Sequence, residues 1–277
     1  LVTIVKILFN VSQDPASHGQ LAQQGAIKTL LLIGTAQAAG QDLEGIQLMA
    51  AHTLARILTS INPEHTFTST VPATSALKPL GNLLTLSGDL LPVHDSLRAL
   101  TNLASMPEGS AREGIARNLM PAVEELMLSS NERIQQAATE LLCNLLVSPQ
   151  LVKMYADESG PARHRMTVLL ALTDAAHMPT RRAAAGALAM LTQYEETAKA
   201  VMDKDGGVKR VLGLCASGEG DEMLHRGLVV LGNLLSAPGG KEKIKGEGGA
   251  EKVKQALRST RDGDVLAVGV EVLKMLV

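Results

Sequence analysis

The chain has 277 residues, 45% of them hydrophobic, and a formal net charge of -2. That is ample for a core, while the near-neutral charge supplies no global field to attract DNA, RNA or an anionic membrane. Aromatic residues make up only 1%, with no Trp, so the stacking platforms that single-stranded nucleic-acid binders rely on are missing.

Taken in chain order, one helical motif keeps returning. Ile7-Leu8-Phe9-Asn10-Val11 is followed by Leu54-Ala55-Arg56-Ile57-Leu58, Leu100-Thr101-Asn102-Leu103 and Leu141-Leu142-Cys143-Asn144-Leu145-Leu146. Then come Leu188-Ala189-Met190-Leu191, Leu231-Gly232-Asn233-Leu234-Leu235 and Leu273-Lys274-Met275-Leu276. The central residues stand 41 to 46 positions apart, 44 on average. A helical period in this range is the signature of armadillo or HEAT repeats. The expected fold is all-α: a right-handed superhelical solenoid of armadillo/HEAT-like three-helix repeats. About six repeats would form a single domain over residues 1–277. A solenoid presents an extended binding surface.

Each period reads as a short helix, a middle helix and a long inner helix. Middle helices are expected at Ala26–Thr35, Ala76–Leu86, Leu119–Leu128, Arg165–Ala175, Gly207–Ala216 and Gly249–Arg258. Inner helices are expected at Glu44–Thr59, Val93–Ala104, Glu132–Val147, Thr180–Gln193, Asp221–Leu235 and Asp264–Leu276, with apolar residues at i, i+3, i+4 and i+7. Prolines 63, 107, 149 and 238 follow inner helices, where they cannot continue the turn. The stretches 62–75 and 156–164 read as surface loops. Leu1 opens directly into an apolar helical pattern, which reads as a fragment of a longer chain.

Catalytic and metal-binding patterns are missing from the sequence. The histidines at 18, 52, 65, 94, 164, 177 and 225 form no His-x-x-x-His and pair with no nearby cysteine. Gly246-Glu247-Gly248-Gly249 lacks a phosphate-loop pattern and reads as a turn before a helix. The adjacent pairs Glu124-Glu125 and Glu195-Glu196 point in different directions on a helix, so neither forms an acid/base dyad. Cys143 and Cys215 lie among apolar neighbours and read as buried, reduced thiols, fitting an intracellular, cytoplasmic protein. No apolar run approaches the ~20 residues of a membrane span. The expectation is a protein with no enzyme activity, cofactor or metal. Residues 241–261 carry a local excess of Lys and Arg that reads as a solvated face.

The inner helices carry the candidate site. In armadillo-type packing their polar side chains line a concave groove. Residues four apart share a helix face, giving the pairs Lys6/Asn10, His52/Arg56, Arg98/Asn102, Glu140/Asn144, Gly186/Met190 and Val229/Asn233. Asn amides can bond the backbone of an extended partner through both donor and acceptor. They can equally bond neighbouring loops within the solenoid. Arg182 and Arg226 join Arg56 and Arg98 as candidates for acidic or aromatic partner groups.

Several of these segments together resemble the UCS-domain family of myosin chaperones. They are Leu54-Ala55-Arg56-Ile57 with Asn62-Pro63-Glu64, Leu97-Arg98-Ala99-Leu100-Thr101-Asn102-Leu103, and Gln136-Ala137-Ala138-Thr139-Glu140 through Asn144. The most specific are Gly186-Ala187-Leu188-Ala189-Met190-Leu191-Thr192, within a run that starts at Ala183, and His225-Arg226-Gly227-Leu228-Val229 leading to Asn233. The resemblance covers nearly the whole chain in order. It implies the C-terminal armadillo-repeat domain of a fungal-type member, binding the myosin motor head and assisting its folding without ATP. Animal members add a tetratricopeptide domain that recruits Hsp90. No 34-residue repeat of that kind is present here, so Hsp90 would enter only indirectly, through regions absent from this sequence. Gly160-Pro161-Ala162-Arg163 departs from the Gly-Asn-Asp-Arg of animal relatives. The alternative is an armadillo adaptor or scaffold, importin- or catenin-like or binding a small GTPase, that recognises an extended peptide. Importin- and catenin-type adaptors set Trp ladders beside their groove asparagines, and this chain has no Trp.

Overall fold

The computed structural model describes residues 2–36, 41–157, 159, 164–216 and 220–277, apart from the side chains of residues 41 and 42. Leu1, Gly160-Pro161-Ala162-Arg163 and part of the loop expected over 156–164 lie outside the described residues. The chain divides into two compact units, Leu1–Leu145 and Leu146–Val277. Both are helical arrays of armadillo type, and the described residues contain no strand beyond a single bridge between Thr68 and Val71.

The first unit contains α1 (Val2–Val11), α2 (His18–Gln23), α3 (Ala26–Gly34), α4 (Gln41–Ser60) and α5 (Leu77–Leu86). It continues with α6 (Leu90–Ala104), α7 (Ser110–Asn118), α8 (Met120–Leu126) and α9 (Glu132–Leu145). The inner helices pack in sequence, α1 on α4, α4 on α6 and α6 on α9, with middle helices α3, α5 and α8 behind them. Leu54, Ile57 and Leu58 of α4, Leu97, Leu100 and Leu103 of α6, and Leu141, Leu142 and Leu145 of α9 are fully buried. Each such side chain contributes about 1.5–3 kcal/mol of burial, and their helical spacing is what selects the inner face.

The second unit contains α10 (Pro149–Ala156), α11 (Arg165–Leu172), α12 (Met178–Leu191), α13 (Glu195–Asp203) and α14 (Gly207–Leu214). It continues with α15 (Asp221–Ser236), α16 (Gly240–Gly246), α17 (Gly249–Leu257) and α18 (Gly263–Leu276). Here α12 packs on α15 and α15 on α18. Helices α14 and α16 are each entered through a Gly-Gly corner. At Gly239-Gly240 the first glycine takes φ +78°, and a Cβ on the second would overlap the Leu234 carbonyl oxygen. Gly206-Gly207 repeats the device, with φ +68° and the Val201 carbonyl in the same relation.

Three differences from the sequence reading have physical causes. Helix α6 begins at Leu90, ahead of the expected Val93, and α12 at Met178, ahead of Thr180. Pro92 and Pro179 sit in first turns, where the missing N–H has no intrahelical acceptor to lose. The stretch 62–75, expected as a surface loop, contains the 3-10 turn Pro63–His65 and the start of a second, Ala73–Ala76, each abutting a proline. The cysteines differ from each other. Cys215 is buried and its thiol is pushed up to about 12 by desolvation, whereas Cys143 is only half-buried.

Candidate partner-binding surface

Three of the asparagines picked out by the repeat make the same contact. Asn102 Nδ2 donates to the Leu58 carbonyl at 2.9 Å, and Asn144 Nδ2 to the Thr101 carbonyl at 3.2 Å. In the second unit Asn233 Nδ2 donates to the Ala189 carbonyl at 3.2 Å and to Thr192 Oγ1 at 3.1 Å. Each acceptor carbonyl lies in the last turn of the preceding inner helix, where backbone oxygens run short of intrahelical donors; the Thr101 oxygen also accepts from the capping Ser105 N–H. The amide thus ties one inner helix to the end of the one before. An amide has two N–H groups and one oxygen, so each latch fixes the side chain while leaving it further bonding capacity. Met190 holds the equivalent place on α12 and cannot form the bond.

In the first unit α1, α4 and α6 assemble a charged cluster. Asp95 Oδ2 lies 3.0 Å from His52 Nε2 and 3.6 Å from Arg56 Nε, and Asp95 Oδ1 lies 3.6 Å from His94 Nδ1. The Arg56 guanidinium stacks over the Phe9 ring at 4.9 Å, and His52 meets the same ring at 5.6 Å between centroids. Arg56 and Asp95 side chains are only 15% and 16% exposed. Burial by itself would raise the Asp95 pKa. The hydrogen bonds from His52 and His94 and the charge of Arg56 outweigh it, holding this carboxyl well below the usual carboxylate range.

The remaining candidates are placed as follows. Asn10 is exposed at the end of α1, and Arg98 is exposed on α6 with no ion pair among the described residues. Glu140 is half-buried and accepts from Gln136 Nε2 at 2.7 Å. In the second unit Glu222 lies between Arg182, at 3.4 Å, and Arg226, at 2.8 Å, and Arg226 also donates to the Arg182 carbonyl. These side chains are substantially exposed, so the pairs contribute little to stability. Asp95, His94, Phe9 and Glu222 were not among the sequence candidates. Asp95 was legible in principle, since it lies seven residues before Asn102, as Arg226 lies seven before Asn233. Among the described residues no cluster of His, Cys, Asp or Glu could hold a metal ion, and no helix is long and apolar enough to cross a membrane.

No family model matches the sequence. The chain is 33% identical over 240 residues to Ring assembly protein 3 of Schizosaccharomyces pombe, covering 84% of this chain and 31% of that protein. It therefore spans about a third of that relative. UNC-45 from Drosophila melanogaster superposes with a TM-score of 0.85 at 27% identity, over 98% of this chain and 34% of that one. A further solved structure, described as showing molecular features of the UNC-45 chaperone critical for binding and folding muscle myosin, superposes with a TM-score of 0.82 at 23% identity. It covers 98% of this chain and 30% of that one. With sequence similarity along most of its length and the same helical array along nearly all of it, the chain belongs to the UCS-domain family.

Proposed function

We propose that this chain is a non-enzymatic chaperone domain that holds a segment of the myosin motor head against its inner helices and assists its folding and stability. The observation that carries the reading is the repeated asparagine latch. In the first unit it fixes polar side chains at the same place on two successive inner helices, at the repeat spacing, and in the second unit it recurs once, at Asn233. In the first unit an extended client strip meeting that face finds the second N–H and the oxygen of Asn102 and Asn144, with Asn10 exposed at the first helix; in the second unit Asn233 offers its oxygen, its two N–H groups being engaged. Arg98, exposed and with no ion pair among the described residues, and the Arg182–Glu222–Arg226 set supply charge for acidic or aromatic client groups. His52 and Arg56 are already engaged with Asp95 and Phe9, so in this reading they present a stiff platform, and Glu140 adds a carboxylate on α9. Met190 adds an apolar contact where the asparagine is replaced. The solved UNC-45 chaperone, whose structure concerns binding and folding of muscle myosin, is what points to the motor domain as client. The mechanism is holding, which needs no nucleotide, and a cytoplasmic setting belongs to the same reading.

The double substitution Asn102→Ala and Asn144→Ala tests it. Each latch lost should lower stability by about 0.5–1.5 kcal/mol. Affinity for a myosin motor domain, corrected for unfolded protein, should fall roughly tenfold if each amide also bonds the client. Melting temperature and affinity are measured on the same sample. A lowered melting temperature with unchanged affinity would confine these asparagines to bracing and remove them from the client site.

A further inference from the structure

A second surface of the first unit is built by helices other than the inner ones. Helices α5, α7 and α8 enclose an open groove of about 810 Å3, within the range of ligand and peptide side-chain pockets. Its floor exists because two glycines let leucines lie flat. A Cβ on Gly81 would stand 2.6 Å from Leu119 Cδ2, and one on Gly114 would overlap Leu77 Cδ1. Leu119 therefore rests on the bare backbone of α5 and Leu77 on that of α7. Neither rises to fill the space between the helices.

The rim follows from helical spacing. Leu77 and Gly81 line the floor, and Lys78 and Asn82, one residue on, stand beside them in the next row of α5. Arg117 stands on α7, and Glu125 is the one carboxylate among the lining residues. Lys78 and Arg117 are both exposed, and neither has an ion-pair partner among the described residues. A carboxylate entering the groove gains two cations without displacing an existing partner.

We infer that this groove is a docking site for an acidic amphipathic peptide segment of a partner protein, distinct from the inner-helix face. An apolar side chain of the segment rests on Leu77 and Leu119, and flanking carboxylates meet Lys78 and Arg117. Charge complementarity over an apolar floor is what selects this occupant. Glu125 disfavours a carboxylate at the far end, so the negative charge of the segment is confined to the part that meets the two cations.

The probe is a fluorescein-labelled synthetic 12-residue peptide with Leu at i, i+3 and i+7 and Glu between them. Anisotropy titration of the 277-residue chain should give saturable binding that weakens with salt. The double variant Lys78→Glu/Arg117→Glu should bind roughly tenfold or more weakly at an unchanged melting temperature. The Glu→Gln form of the peptide should weaken similarly against the wild-type chain. The Asn102→Ala/Asn144→Ala variant should bind the peptide as the wild type does, which separates failure here from failure of the myosin reading. No saturable binding, binding that survives the double reversal, or equal binding of a Lys-for-Glu peptide would overturn the proposal. So would self-association of the chain in sedimentation that the same reversal abolishes, because the groove would then belong to a second copy.

Discussion

Asp95→Asn should destabilise the protein by about 2–3 kcal/mol at neutral pH. Its carboxylate faces His52, His94 and Arg56, and Arg56 is held between it and the Phe9 ring with little exposure. Removing one partner of a buried pair leaves the other charge without compensation, at a cost of about 3–5 kcal/mol when burial is complete. The residual exposure of this pair places the effect at the lower end. The pH dependence has a definite sign. The folded pKa of Asp95 is depressed, so its contribution is present above the unfolded value of about 3.9 and is lost as pH falls toward the folded value. Urea denaturation at pH 7 and about pH 2.5 should show the gap between wild type and variant shrinking at the acidic end. An equal gap at both would mean that the charge of Asp95 plays no part.

Gly240→Ala should cost about 3 kcal/mol, the upper end of ordinary overpacking, because the obstacle is backbone. The added Cβ overlaps the carbonyl oxygen of Leu234, whose side chain is fully buried in α15. Retreat of that carbonyl would drag the end of α15 and, next to it, the Asn233 latch. Gly246, the last residue of the same short helix, has no atom within 4 Å of a built Cβ. Gly246→Ala should therefore be neutral or gain up to about 1 kcal/mol of helix propensity. Calorimetric midpoints that coincide for the two variants would contradict the close corner.

Much of the array can be read directly from the residues. The 41–46-residue spacing and the i, i+3, i+4, i+7 pattern locate every middle and inner helix to within a few residues, since one buried stripe per helix is what stacking demands. Helix starts at Leu90 and Met178 were misjudged because a proline reads as a break when it can equally occupy a first turn. The 62–75 stretch, read as a loop, holds 3-10 turns beside Pro63 and Pro72. The site was only half legible. Asn102, Asn144 and Asn233 stand out by period, but their partners are carbonyls, which every residue has, so sequence could not choose between a neighbouring helix and a client. The Phe9–His52–Arg56–Asp95 cluster draws on three helices, and a search limited to steps of four on one helix passes over Asp95.

The most direct measurement is titration of the folded chain into a myosin motor domain, followed by binding and by light scattering at a temperature where the motor domain alone aggregates. The expected result is a saturable complex and suppressed aggregation in the absence of nucleotide, both weakened by Asn102→Ala/Asn144→Ala. A correctly folded chain that neither binds the motor domain nor delays its aggregation would contradict a myosin-chaperone role for this domain.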